Sequence, residues 1–263
     1  MEGCVSACRS NYKRTGITTP TSVRDEGKET AGRNRLNNSK LEDCEKGIRS
    51  ERLSSLKCMY TNACSVVGKM DEVRYIAQKA ELSIIGICET WANESINNAE
   101  LNIDGYTLFR KNRMSESWCS GGGVSLYVKD TLRPRQCSRL NTSQYAESIW
   151  CIIDFADTSL LVGVCYRSTS SSEHNNDKLI ELLQMAVEES VNYQLLLMGD
   201  FNYPEIDYDE YTVTAGEDSY PSKFFTCTQD LFLFQHVTEF TRCRVNQKPS
   251  VLDYLFTYDE NSI

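Results

Sequence analysis

The chain contains 263 residues, of which 40% are hydrophobic and 25% are charged, enough for one domain with a substantial core plus a tail. Its 37 acidic and 28 basic residues give a net charge of -9, which excludes a protein held on nucleic acid by bulk positive charge. No apolar run could cross a bilayer and the N-terminus contains no apolar export signal, so we expect an intracellular protein with no membrane partner. The 12 cysteines are scattered along the chain, which predicts reduced thiols and no zinc site.

The first 55 residues are predicted to form a disordered, mildly basic tail. Residues 1–57 contain 12 Lys and Arg against 8 Asp and Glu, with few large apolar residues. Such a segment cannot bury enough apolar surface to offset the entropy lost on ordering. We therefore expect one folded domain over residues 56–263.

From residue 56 onward, the hydrophobic pattern alternates between strand-like and helix-like segments. Apolar residues at helical spacing predict helices over 69–80, 177–191 and 222–232. Short apolar runs predict strands over 56–63, 82–88, 105–110, 122–128, 149–155, 160–166, 193–198 and 251–256. Four of these strands follow one another without a helix, which favours antiparallel pairing. This order predicts an α/β domain in which two sheets pack face to face beneath outer helices.

Polar side chains follow or begin several of the predicted strands, at positions where α/β proteins form their sites. These residues carry oxygen and nitrogen groups able to hold a metal or a phosphate: Asn62, Glu89, Tyr166, Arg167, Asp200, Asn202 and Asp253. We expect five strand ends to converge on one cleft.

The sequence words around these residues occur in a specific order. They are TNACS (61–65), ICETW (87–91), GYTLFRKNR (105–113), GGGVSLYV (121–128), ESIW (147–150), VGVCYRS (162–168), LLLMGDFNYPEID (195–207), FTR (240–242) and LDYLFT (252–257). Together they resemble the endonuclease/exonuclease/phosphatase superfamily and, within it, the endonuclease domain of non-LTR (LINE-type, jockey-like) retrotransposons. The resemblance implies a four-layer αββα sandwich of two mostly antiparallel sheets, as in DNase I, with the last strand missing here.

The resemblance also implies an activity: Mg²⁺-dependent hydrolysis of DNA phosphodiesters, with Mn²⁺ as a substitute ion. It makes Glu89 the principal metal ligand, with Asn62 either orienting Glu89 or joining the metal shell. It places Arg167, Thr241 and Arg242 in contact with DNA or its phosphates. The implied partners are DNA, bound through local contacts, and a reverse transcriptase domain that a full-length element would contain. In such an element the endonuclease domain nicks nuclear DNA for target-primed reverse transcription.

The remaining site residues receive their roles from the same resemblance. Asp200 would position or deprotonate the attacking water, and Asn202 would donate hydrogen bonds to phosphate oxygens. Tyr166 would hydrogen-bond the scissile phosphate, and Asp253 would support the metal region. Each has a plainer alternative, since Asp200 and Asn202 suit a turn and Tyr166 suits a buried cross-strand position.

Two departures from the family pattern lower the expected activity. A final Ser-Asp-His element is absent, and neither His174, assigned to a loop, nor His236, expected to pack, has that context. Cys64 occupies a position where repair endonucleases of the superfamily carry a carboxylate. Weak activity or none is therefore expected, and two alternatives stay open: an inactive remnant that only binds DNA or protein, and a phosphatase or phospholipase of the same superfamily.

Overall fold

A computed structural model of the chain describes residues 15–16, 56–113, 121–243 and 248–263. The predicted tail, 1–55, lies outside the described residues except for Thr15–Gly16, a two-residue strand. The predicted domain, 56–263, is described apart from the two internal gaps.

The described secondary structure follows the predicted order, with each long element within a few residues of its expected bounds. The helices are α1 (Met70–Lys79), α2 (Ser138–Asn141), α3 (Glu173–Glu189) and α4 (Tyr220–Asp230). The strands are β1 (Thr15–Gly16), β2 (Lys57–Asn62), β3 (Ile84–Cys88), β4 (Tyr106–Lys111), β5 (Val124–Lys129), β6 (Arg135–Gln136), β7 (Ser148–Asp154), β8 (Ser159–Tyr166), β9 (Gln194–Asp200), β10 (Ile206–Asp207), β11 (Thr212–Val213), β12 (Phe234–Gln235) and β13 (Asp253–Thr257). Elements of two to four residues, such as β6, α2 and β12, were not predicted because they are too short to show a period.

The strands form two main sheets, and each contains one parallel pair. The first sheet has the order β1-β2-β3-β5-β4, and only β2 and β3 run parallel. The second has the order β12-β13-β9-β8-β7-β6, and only β8 and β9 run parallel. Strands β10 and β11 form a separate hairpin. The predicted antiparallel pairing is confirmed within the pairs β4–β5 and β7–β8, which lie in different sheets.

Three hydrophobic clusters stack the chain into four layers. In β9, Leu195 and Leu197 pack against the helices α3 and α4, whereas Leu196 and Met198 face the other sheet. A third cluster joins the outer face of the first sheet to the buried side of α1. Because side chains alternate across a strand, a strand covered on both faces is apolar at every position. The expected αββα sandwich is therefore confirmed.

The two helices that cover the second sheet, α3 and α4, begin at side-chain caps. Ser172 accepts a hydrogen bond from the Asn175 backbone N–H at 3.2 Å, and Ser219 caps α4 in the same way. A serine oxygen in this position satisfies a backbone donor that the helix leaves open. The cap starts α3 at Glu173, so His174 lies in its first turn and the sequence-based assignment to a loop was wrong. No helix in the described part of the chain is long and apolar enough to cross a membrane.

The two parallel pairs bring their carboxyl ends to the same rim of the sandwich. In the first sheet, Asn62 of β2 pairs with Cys88 of β3, directly before Glu89. In the second sheet, Tyr166 of β8 pairs with Asp200 of β9. The antiparallel strand β13 begins opposite Asp200, with Asp253 as the paired residue. Its outer edge is partly covered by β12, so less of this sheet edge is left unpaired.

Candidate active site

The rim joins two sheets through one amide side chain. Asn62 Nδ2 donates to Glu89 Oε1 at 3.3 Å, within the first sheet, and to Asp200 Oδ2 at 2.8 Å, in the second. Two carboxylates from different sheets therefore share one donor. The structure thus brings together three of the residues that the sequence selected.

Three side-chain donors hold the Glu89 carboxylate. Tyr166 OH donates to Oε1 at 2.8 Å, and the Trp91 indole Nε1–H donates to Oε2 at 2.9 Å, in addition to Asn62. The backbone of Glu89 has φ +50°, in the left-handed region, and Trp91 has φ +53°. Such backbone strain persists only where surrounding contacts fix the conformation, and it concentrates at functional sites. Glu89 is therefore held in one orientation at the rim, directly after β3.

Asp200 is a buried carboxyl group with a displaced pKa. Burial and, next, the nearby negative charge of Asp253 raise the pKa of Asp200 to about 8, against hydrogen bonds from Asn62 and the Asn202 backbone N–H. The charge of Glu89 raises it further. A carboxyl group whose pKa lies near neutrality can accept or donate a proton at working pH.

Asp253 lies beside Asp200 at the start of β13. Burial raises the pKa of Asp253 to about 6, and the Thr241 and Tyr60 hydroxyls oppose the shift. Thr241 Oγ1 accepts hydrogen bonds from the backbone N–H groups of Leu252, at 2.9 Å, and Asp253, at 3.2 Å. Thr241 therefore fixes the entry to β13, while its contact with DNA, and that of the half-buried Arg242, stay predictions.

Arg167 does not fit the phosphate-binding role expected from the sequence. Its guanidinium is buried, with Nε donating to Asn176 Oδ1 at 2.8 Å and one terminal nitrogen donating to the carbonyls of Phe201 and Asn202. It also lies 4.0 Å from the centroid of the Tyr203 ring. The interpretation of Arg167 as a phosphate ligand is corrected: its carbonyl and ring contacts fix the loop that follows β9, and its contact with Asn176 joins that loop to α3.

Asn202 is also engaged within that loop. Its Nδ2 donates to the Arg167 carbonyl at 2.8 Å, and its backbone has φ +52°. The side-chain amide thus ties the end of β8 to the end of β9. Donation from Asn202 to a phosphate oxygen stays a prediction.

Four residues around the site carried no predicted role. Trp91 is 39% exposed and lies beside Glu89, to which its indole N–H donates. Arg113, Glu147 and Gly123 form a hydrogen-bonded group next to Tyr166. All four lie inside the quoted sequence words. The signals that could have identified two of them were an acid directly before an apolar strand, for Glu147, and a run of three glycines, for Gly123.

The donor set can be tested against the metal that the resemblance implies. Over residues 56–113, 121–243 and 248–263, no three His, Cys, Asp or Glu side chains cluster as a metal cage would require. Mg²⁺ needs only one or two protein carboxylates, because water and substrate phosphates complete its shell. Glu89 offers such a carboxylate at a partly exposed position. Asn62 directs its nitrogen to the carboxylates and its oxygen to the Cys64 backbone N–H at 3.1 Å, so it orients Glu89, and the set fits Mg²⁺ on that residue.

Comparisons with known proteins agree with this architecture. Residues 160–263 match the family model described as endonuclease-reverse transcriptase. No curated protein sequence matches the chain.

Solved structures with a similar fold include three nucleases. The endonuclease domain of TRAS1, a telomere-specific non-LTR retrotransposon, is 14% identical, with 76% of this chain and 82% of that chain covered at a TM-score of 0.54. The AP endonuclease LMAP from Leishmania major is 16% identical, with 77% and 78% covered at a TM-score of 0.60. An AP endonuclease from Archaeoglobus fulgidus is 15% identical, with 77% and 86% covered at a TM-score of 0.52. These likenesses show that the described residues have the fold that these nucleases share, and the family-model match over residues 160–263 agrees with the resemblance that the sequence words predict.

Proposed function

We propose that this chain, which has the fold of the endonuclease/exonuclease/phosphatase superfamily, hydrolyses phosphodiester bonds in DNA with the help of Mg²⁺. The observation that carries the proposal is the Asn62 amide, which holds Glu89 and Asp200 together across the two sheets. One carboxylate is partly exposed and suited to a hard cation, and the other is buried with a raised pKa. Such a pair offers a ligand for the ion and, next to it, a group that can accept a proton from water.

The roles of the residues follow from their contacts. Glu89 would hold Mg²⁺, which when bound neutralises charge that develops on the phosphate and on the leaving oxygen. Asp200 takes a proton from the water that attacks phosphorus, as the bond from phosphorus to the 3′ oxygen breaks. Tyr166 donates its one hydroxyl hydrogen to Glu89 in the ion-free protein, and it would turn that hydrogen to a phosphate oxygen placed beside the carboxylate once the substrate is bound. Asp253 keeps the environment of Asp200 negative and so favours its proton uptake.

The substrate class is DNA, and the biological role is that of a retrotransposon endonuclease. The match of residues 160–263 to an endonuclease-reverse transcriptase model supports this role, as does the fold shared with the TRAS1 domain. A net charge of -9 means that DNA is held by local contacts at the rim. In this role the chain nicks nuclear target DNA, and a reverse transcriptase domain extends the 3′ end that is released.

Nicking of supercoiled plasmid tests the proposal. Wild type is assayed with Mg²⁺, with Mn²⁺ and with a chelator, beside Glu89→Gln and Asp200→Asn, which retain side-chain shape. Glu181→Gln is the matched control, because Glu181 is an exposed acid on α3 paired with Lys178. We expect slow nicking with either ion, because the final Ser-Asp-His element is absent, no nicking with the chelator, and loss of nicking in both site variants only.

Two results would overturn the proposal. Wild type that is folded by circular dichroism and leaves the plasmid intact would favour a protein that only binds DNA. Equal nicking by the wild type and both site variants would mean that another site or a contaminant cuts. Parallel assays with an inositol phosphate and with sphingomyelin separate a phosphatase or phospholipase activity from DNA cleavage.

A further inference from the structure

An ion pair lies behind the rim and has no role in the chemistry described so far. Arg113 follows β4 and Glu147 directly precedes β7, so the pair joins the two sheets. Arg113 Nε donates to Glu147 Oε1 at 2.9 Å, and a terminal nitrogen donates to Oε2 at 2.5 Å. The Glu147 side chain is 11% exposed and that of Arg113 is 30% exposed. A bidentate pair in this setting fixes orientation as well as charge.

The first route from this pair to Glu89 runs through the glycine segment. Glu147 Oε1 also accepts from the Gly123 backbone N–H at 3.0 Å. The carbonyls of Gly123 and Gly122 accept from the backbone N–H groups of Thr90, at 3.2 Å, and Trp91, at 3.0 Å. The pair therefore supports the backbone of the two residues that follow Glu89, and Trp91 returns a side-chain hydrogen bond to its carboxylate.

The glycines themselves show that this segment is shaped around the pair. Gly122 and Gly123 have φ of +70° and +81°, a conformation that side chains rarely adopt. A Cβ on Gly122 would overlap both the Glu147 carboxylate and the Arg113 guanidinium. Close approach of the backbone to an ion pair thus explains these two glycines, which stand at the beginning of the strand predicted over 122–128.

The second route runs through Tyr166. The Arg113 guanidinium carbon lies 5.5 Å from the centroid of the Tyr166 ring, within the range of a cation–π contact. The Tyr166 backbone N–H donates to the Glu147 carbonyl at 2.9 Å. Tyr166 in turn donates its hydroxyl to Glu89 Oε1. Both oxygens of Glu89 are therefore bound by groups that rest on Arg113 and Glu147.

We propose that Arg113 and Glu147 form a positioning pair that sets the orientation of the Glu89 carboxylate through Trp91 on one side and Tyr166 on the other. The inference rests on the proposed function for its catalytic consequence, but the orientation of Glu89 is measurable without catalysis. A pair that served only to join the sheets would contribute stability and leave the Trp91–Glu89 hydrogen bond unchanged. The two roles therefore differ in what a substitution changes.

The indole N–H of Trp91 reports the orientation of Glu89 directly. The chain has three tryptophans, so its indole region in a ¹⁵N–¹H correlation spectrum is simple, and Trp91→Phe assigns the signal. Spectra of the ion-free protein are recorded for wild type, Glu147→Gln and Arg113→Lys. The matched control is Asp154→Asn, which breaks another two-bond arginine–carboxylate pair, Arg135–Asp154, at the far end of β7.

We expect the Trp91 indole signal to move in both pair variants and to stay in place in Asp154→Asn. In the nicking assay, kcat should fall about 10- to 100-fold in Glu147→Gln, the range seen when groups that orient a metal ligand are removed, with KM for DNA unchanged. The Mg²⁺ concentration for half-maximal nicking should rise in the same variant. Asp154→Asn should match wild type in each measurement.

An unmoved Trp91 signal in the folded pair variants would overturn the inference, whatever the activity. If Glu147→Gln does not fold, Arg113→Lys alone tests the inference. Lysine keeps the positive charge but lacks the planar guanidinium that binds a carboxylate through two hydrogen bonds. A wild type that does not nick would remove the proposed function, while the indole signal would still accept or reject the positioning role. The two failures are therefore distinguishable.

Discussion

Removal of one hydroxyl group, in Tyr166→Phe, tests whether the contact with Glu89 serves catalysis. The ring is buried, and its hydroxyl donates to Glu89 Oε1 at 2.8 Å, so phenylalanine keeps the packing and removes only the donor. A hydrogen bond to a charged group is worth about 1.5–3 kcal/mol. If that contribution is made in the transition state, kcat/KM for nicking falls by about 10- to 150-fold, at about 1.4 kcal/mol for each factor of ten.

The assay is the initial rate of plasmid nicking at saturating Mg²⁺, beside Tyr127→Phe as the matched control. Tyr127 is another buried tyrosine, whose hydroxyl donates to the Leu101 carbonyl at 2.9 Å in the layer beneath α1. The control should lose about 0.5–1.5 kcal/mol of unfolding free energy and keep its kcat/KM. A Tyr166→Phe protein as active as wild type, or equal impairment of both variants, would refute the catalytic reading of the contact.

Three further predictions concern the scaffold. Gly163→Ala should destabilise the domain by about 1–3 kcal/mol in urea unfolding, because its Cβ would collide with the buried Trp150 ring, whereas Gly68→Ala, with open space around it, should change stability little. Burial lowers the pKa of His236, so as pH falls below 6.5 the unfolded chain binds the proton first and stability drops. The loss of unfolding free energy between pH 7.5 and 5.5 should therefore be smaller in His236→Gln than in wild type. An identical loss in the two proteins would contradict a lowered pKa of His236. Ser172→Ala should lower the free energy of unfolding by about 1 kcal/mol through loss of the α3 cap, and an unchanged urea midpoint would show that the cap is dispensable.

The long elements were predictable because their burial is uniform. Strands β8 and β9 are covered on both faces and read as unbroken apolar runs, and α3 presents a regular apolar stripe. The short pieces β6, α2 and β12 were not predictable, because two to four residues carry no period and owe their form to neighbouring strands.

The candidate site divides in the same way. Asn62, Glu89 and Asp200 stand at strand ends, so strand direction alone brought them to one rim once the sheets were stacked. Arg167 also stands at a strand end, but its guanidinium turns into the protein, where Asn176 and two carbonyls satisfy it. Sequence position gives the place of a backbone atom, whereas the direction of a long side chain depends on which acceptors lie nearby.

By itself, the sequence determined the order of strands and helices, the residue types available at the rim and the absence of bulk positive charge. These properties depend on local composition and on periods of two or 3.6 residues, which the chain carries within each segment. Only the tertiary structure decided which partners those residues have: the Asn62 amide between two carboxylates, the raised pKa of Asp200 and the Arg113–Glu147 pair behind Glu89. Each joins residues more than 25 positions apart, and its strength depends on burial between two sheets, which exists only after they have packed.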